Sequence, residues 1–136
     1  KAYKNMNAYK LFVLDVGLLG AMSELPAESI LEGNDIFVEF KGALTEQYVL
    51  QQLISDTPYT PYYYGNEKAT FEQDFLIQKA KSIVPIEVKA EQNIRSHSLK
   101  TYCEKFQPEE AVRFSTLKYK EQEWMVNIPL YAVCNL

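Results

Sequence analysis

The sequence predicts an α/β fold, a mixed β-sheet flanked by helices, and three observations carry that prediction. A helical period runs unbroken from Asn34 to Ser55. Three strand candidates follow in quick succession, at Thr60–Tyr64, Phe71–Gln78 and Ile83–Lys89. A helical stripe at Ser98–Phe106 then separates them from a short strand at Ala111–Ser115. Strands joined by tight turns pair antiparallel, whereas a strand reached through a helical crossover returns parallel, so the sheet is expected to be mixed. The core order is helix, three strands, helix, strand, with one more strand at the end.

The bulk numbers agree with a folded domain. The chain has 136 residues, 47% of them hydrophobic and 13% aromatic, with five Gly, enough to bury one core. Seven Phe and ten Tyr must pack inside or at an interface. The formal charge of −4 excludes a protein that coats DNA through its overall field. Residues 1–70 hold five basic and nine acidic side chains, and residues 71–136 hold nine of each. Any DNA contact is therefore expected to be local and in the second half. Cys103 and Cys134 lack a metal-ligand spacing and read as reduced thiols of a cytoplasmic protein. No run reaches the length of a membrane span, and no signal peptide is visible. The first residue is Lys1 and not Met, which suggests a piece of a longer product.

Residues 1–33 form a lead-in. Its apolar run Lys10–Leu19 suits a short strand running into a helix, and Pro26 interrupts any helix and opens a turn. Residues 34–136 form the main domain, and lead-in and main domain together are expected to make one compact domain. Its first helix has Asn34 as N-cap. At about 100° per residue, Glu46 shares a side with Val49, Leu50 and Leu53, while Gln47, Gln51 and Gln52 fall away. Glu39 shares the apolar side as well. A buried, unpaired carboxylate costs on the order of several kcal/mol, so both need partners. For Glu39 a salt bridge or a loop hydrogen bond suffices.

The strands have readable ends. Gly65-Asn66 is a turn signal after Thr60–Tyr64. Lys79–Ser82 is a polar hairpin connection, and Pro85 marks an edge position or a strand start. Lys118–Glu123 is a polar stretch, and Ile128–Val133 reads as the last strand.

The chemistry concentrates in one constellation. Asp74 interrupts an apolar strand, and Glu87 and Lys89, two apart, project to one face of the next. If those strands pair, Asp74 approaches Glu87, and two adjacent carboxylates raise each other's pKa unless a cation joins them. A hard divalent ion, Mg²⁺ or Mn²⁺, held by Asp74, Glu87 and Glu46 would polarise a phosphodiester and activate a water. Lys89 would offset charge in the transition state. The alternative for these residues is a cross-strand salt bridge between Lys89 and one carboxylate.

The helix, then Asp74, then Glu87-Val88-Lys89 resemble the restriction-endonuclease-like superfamily with its PD-(D/E)xK signature and αβββαβ core. More closely, the chain resembles the C-terminal domain of unknown function that follows the ATPase module in prokaryotic AAA-type ATPases. Lys10–Leu19, Phe40–Val49, Asp74-Phe75 and Pro85–Ala90 carry that likeness. It implies that 34–136 is nuclease-like, with Glu46, Asp74, Glu87 and Lys89 as the site. It also implies that an ATP-binding module of the same chain lies upstream and is a partner. No phosphate-binding loop occurs within these residues, so ATP would bind only through that module. Two departures stand out. No Pro precedes Asp74, and Gln73 occupies a place expected to be apolar, with its side chain expected to face away from Asp74.

Two functions follow from different classes. One is a Mg²⁺- or Mn²⁺-dependent DNA phosphodiesterase served by the ATPase. The other is an inactive nuclease-fold module that binds nucleic acid or a partner and regulates the ATPase. Tyr62–Tyr64 would give either a stacking patch or strand packing. Lys79, Lys81, Arg95, Lys100 and Lys105 would give either a phosphate-facing strip or a solvated surface. His97, the only histidine, excludes a His-based triad and reads as a capping or surface residue. Trp124 reads as a core or interface anchor.

Overall fold

The computed structural model describes residues 9–24, 35–65, 71–90 and 96–136, the side chains of 35–39 excepted. Asn34, Glu39, Pro26, Asn66 and Arg95, each given a role above, lie outside what is described, wholly or in their side chains. The helices are α1 (Val16–Met22), α2 (Asp35–Asp56) and α3 (His97–Phe106). The strands are β1 (Tyr62–Tyr64), β2 (Gln73–Lys79), β3 (Ser82–Lys89), β4 (Val112–Ser115), β5 (Lys120–Glu121) and β6 (Val126–Pro129). They form one mixed, open sheet in the order β1-β2-β3-β4-β6-β5. The β1–β2, β2–β3 and β5–β6 pairs are antiparallel, while β3–β4 and β4–β6 are parallel. The α/β class and the mixed sheet thus match the reading of the sequence.

One face of the sheet makes the main core. Phe75 and Ile77 of β2, Val84, Ile86 and Val88 of β3, and Val112 and Phe114 of β4 pack with Val49 and Leu53 of α2. The last two are fully buried, an i, i+4 pair meeting the sheet on one stripe. The α2 helix closes at Thr57, whose hydroxyl donates to the Leu53 carbonyl at 2.6 Å, ahead of Pro58. On the other face Leu99 of α3 packs with Ala111 and Met125. Tyr64 joins that side, with ring centroids 5.7 Å from those of Phe71, Tyr102 and Phe106.

Four local expectations change. The Lys10–Asp15 stretch is not a strand. It runs without regular structure onto α2, held by Gln47, which accepts the Val13 N–H (3.1 Å) and donates to the Val13 carbonyl (3.0 Å). Gln51 accepts the Val16 N–H at 3.0 Å. Gln47 is therefore 2% exposed, although helix periodicity turned it away from the apolar stripe. The helix is covered on two sides, and the second cover is a peptide backbone that needs amide partners.

Pro85 sits inside β3, an interior strand, rather than at an edge or a start. Strand N–H groups alternate in direction, and the Val88 N–H points toward β2. The Pro85 nitrogen thus points to the β4 side, where pairing begins only at Ile86↔Val112. No ladder bond is lost. The last strand ends at Pro129, earlier than expected, and Leu130–Asn135 turns into a 3₁₀ segment. Within the polar Lys118–Glu123 stretch, Lys120–Glu121 forms the short edge strand β5.

The β2–β3 hairpin turns through Ala80-Lys81, with Ala80 at φ 55°. No described helix is long and apolar enough to cross a membrane. Cys103 and Cys134 are free thiols.

Candidate functional site

The site lies at the open end of the β2–β3 hairpin, opposite its turn. Pairing runs from Lys79↔Ser82 to Phe75↔Ile86. One step further the strands part. The Val88 N–H, next in line to bond β2, goes instead to the Asp74 carboxylate, Oδ2 at 2.7 Å. The Gln73 amide donates to the Ile86 carbonyl at 2.7 Å. At Val88 a side chain thus takes the bond that backbone supplies elsewhere in the ladder.

Continued by that one step, the register sets Asp74 opposite Glu87. Glu87 is 3% exposed and engaged at both oxygens. Lys89 Nζ lies 2.6 Å from Oε1, and Gln73 Nε2 lies 3.3 Å from Oε2. From the adjacent strand, Arg113 pairs in register with Glu87. Its guanidinium is buried and donates to Asn127 Oδ1 at 2.8 Å and Ser96 Oγ at 3.4 Å. Burial pulls the Arg113 pKa below its usual range, and the neighbouring Glu87 carboxylate opposes that.

Glu46 reaches the same region from α2. Its Oε2 lies 3.3 Å from Lys10 Nζ, with both side chains partly exposed. Lys10 also lies over the Tyr63 ring, 5.9 Å from its centroid. Asp74 registers the crowding of charge. Its carboxyl is pushed up from 3.8 to about 7, chiefly by burial, then by the Glu46 carboxylate and, less, by Glu87. The Val88 N–H and Lys10 act in the opposite sense.

Glu46, Asp74, Glu87 and Lys89 are thus brought into one neighbourhood. Among the described residues no set of three His, Cys, Asp or Glu side chains is gathered closely enough to chelate a metal. Asp74 and Glu87 carry the oxygen donors that a hard cation takes, and such a cation keeps waters where protein ligands are few.

Three residues of the site were missed in the sequence. Gln73 was expected to face away, yet its amide touches Glu87. The available signal was a lone polar residue in register with Phe71, Phe75 and Ile77, where every neighbour on that alternation is apolar. Arg113 carried a similar signal between Val112 and Phe114. Lys10 carried none, because only the docking of the lead-in on α2 brings it to Glu46.

The other candidates sit elsewhere. Tyr64 is packed among rings rather than offered for stacking. Lys79 pairs with Glu110 at 3.2 Å, Lys100 lies 3.9 Å from Glu104, and Lys105 lies over Phe106 with its nitrogen 5.1 Å from the centroid. These lysines do not form a strip. His97 is an exposed residue in the first turn of α3, and Trp124 is 38% exposed.

Residues 41–132 match the family described as Domain of unknown function (DUF4143), and the chain belongs to that family. The matched span contains Glu46, Asp74, Glu87 and Lys89, and it leaves out Lys10. No curated protein and no solved structure matches the chain.

Proposed function

We propose that this DUF4143 domain is nuclease-like, with a restriction-endonuclease-like core. In this reading Asp74 and Glu87 hold Mg²⁺ or Mn²⁺, Glu46 is the third acidic group, and DNA phosphodiester hydrolysis is the reaction. The observation that carries the reading is the convergence of carboxylates where β2 and β3 part. Asp74, bonded to the Val88 N–H, continues the register opposite the buried Glu87. Burial and the nearby Glu46 carboxylate push Asp74 up to about 7. Such an arrangement opposes ionisation, and a divalent cation relieves it. When bound, the ion polarises a phosphoryl oxygen and lowers the pKa of a bound water.

The residues of the chain supply the rest. Glu87, fixed at both oxygens, presents its remaining lone pairs in one orientation. Below about pH 7 Asp74 holds a proton that a cation must displace. Lys89, with about a third of its side chain exposed, can turn its ammonium toward a phosphate oxygen and offset charge in the transition state. In a longer chain, an upstream AAA-type ATP-binding module would be the partner that this domain serves.

One set of contacts favours a second reading. Lys10 lies on Glu46 and Lys89 on Glu87, so lysine ammonium groups already neutralise two of the three carboxylates. This supports a module that binds nucleic acid or a partner without cutting and regulates the ATPase.

Incubation with supercoiled and linear DNA in Mg²⁺ and in Mn²⁺ separates the two. The first reading expects metal-dependent nicking that Asp74→Ala and Lys89→Ala abolish. Absence of nicking in either metal, with DNA binding that survives Glu87→Ala, supports the second.

A further inference from the structure

Among the described residues, the one buried polar side-chain atom left without a partner belongs to Gln73. Its side chain is fully buried, and the atom is Oε1. The orientation of the amide is dictated by its surroundings. Nε2 faces two acceptors, the Ile86 carbonyl at 2.7 Å and Glu87 Oε2 at 3.3 Å. Turned over, the amide would set an oxygen against both. Oε1 is therefore an acceptor with nothing to accept.

A purely structural role accounts for half of this side chain. Anchoring the end of β2 to Ile86 needs the donor end alone, and it leaves the oxygen buried without a partner, at a cost. The neighbourhood supplies the other half. Oε1 is geminal to the nitrogen that touches Glu87, and the described carboxylates can give an ion only part of its coordination. A hard cation there must keep waters. Water bound to a cation is a strong donor, the chemical complement of an orphaned amide oxygen.

We infer that Gln73 is a positioning residue for a hydrated divalent cation: Nε2 orients Glu87, and Oε1 accepts a hydrogen bond from a water of the ion. This rests on the metal-binding reading above and extends it to a residue that touches the ion only through other groups. Partners of this kind orient the groups that do bind metal, and their loss weakens affinity about 10–100-fold.

Mn²⁺ titration of the chain by calorimetry, with free Mn²⁺ counted by electron paramagnetic resonance, tests it without reference to DNA cutting. Gln73→Met should weaken Mn²⁺ binding at least about tenfold. It also removes the hydrogen bonds to Ile86 and Glu87, so the metal-free melting temperature should fall. Gln73→Asn keeps the amide but withdraws it by one methylene, and it should show the same weakening if Gln73→Met fails to fold. Wild-type affinity in the variant that folds overturns the inference and leaves the metal site standing. If the wild-type chain binds no Mn²⁺, the metal site and this inference fall together.

Discussion

Asp74 accepts the Val88 N–H through its carboxylate at 2.7 Å, where the ladder between β2 and β3 would otherwise continue through the backbone. A strand end is thereby replaced by an ionisable group. The substitution parts the strands and places a carboxyl beside Glu87 in a setting that resists its charge.

Stability should depend on that carboxyl. Its folded pKa of about 7 lies above the ordinary 3.8, so the native state binds the proton more tightly than the unfolded state. The stability this contributes is fully present below about pH 3.8 and is lost as pH rises through 7. Asp74→Asn keeps an acceptor for the Val88 N–H and removes the charge. At pH 8 the variant should be more stable than wild type by on the order of 2–4 kcal/mol, with the gap closing as pH falls. Urea denaturation at pH 5 and pH 8 measures both. An equal difference at the two values would detach the effect from Asp74 ionisation.

Cation binding should titrate with the same group. Below pH 7 an ion must displace the Asp74 proton, so Mn²⁺ affinity should fall about tenfold per pH unit there and level off above it. Calorimetry in buffers of different ionisation enthalpy would count one proton released at pH 6 and close to none at pH 8.5. A flat affinity between pH 5.5 and 8 would contradict the role given to Asp74.

Lys89 should matter to folding as well as to chemistry. Its ammonium is 2.6 Å from a carboxylate whose side chain is 4% exposed, and Lys89→Met leaves that charge with Gln73 and the nearby Arg113. The expected loss is about 1–3 kcal/mol. Adding Glu87→Gln should recover part of it, a coupling that a double-mutant cycle reads directly.

The lead-in should be held by glutamine. Gln47→Ala removes both partners of the Val13 peptide group, at a cost of about 1–3 kcal/mol. Amide exchange at Val13 should quicken more than exchange at Val49, on the opposite side of the same helix. Uniform quickening along α2 would show that Gln47 supports the helix itself.

Sequence periodicity by itself determined the α/β class, the long α2 helix, the β2–β3 hairpin and the crossover through α3. These depend on alternations of 2 and 3.6 residues and on short turns, which are local properties. It also singled out Glu46, Asp74, Glu87 and Lys89, because charged residues inside apolar runs are visible without coordinates. Tertiary structure decided the rest. Periodicity says which residues leave the solvent but not what meets them, so Gln47 read as a solvent residue although a docked segment covers it. Pro85 read as an edge because the staggered start of β4 is a matter of register. Lys10 reached Glu46, and Gln73 reached Glu87, only where the lead-in docks and the strands separate. Whether a carboxylate faces a lysine, an amide or another carboxylate depends on ångström-scale placement between distant parts of the chain, and that placement sets the charge state of Asp74.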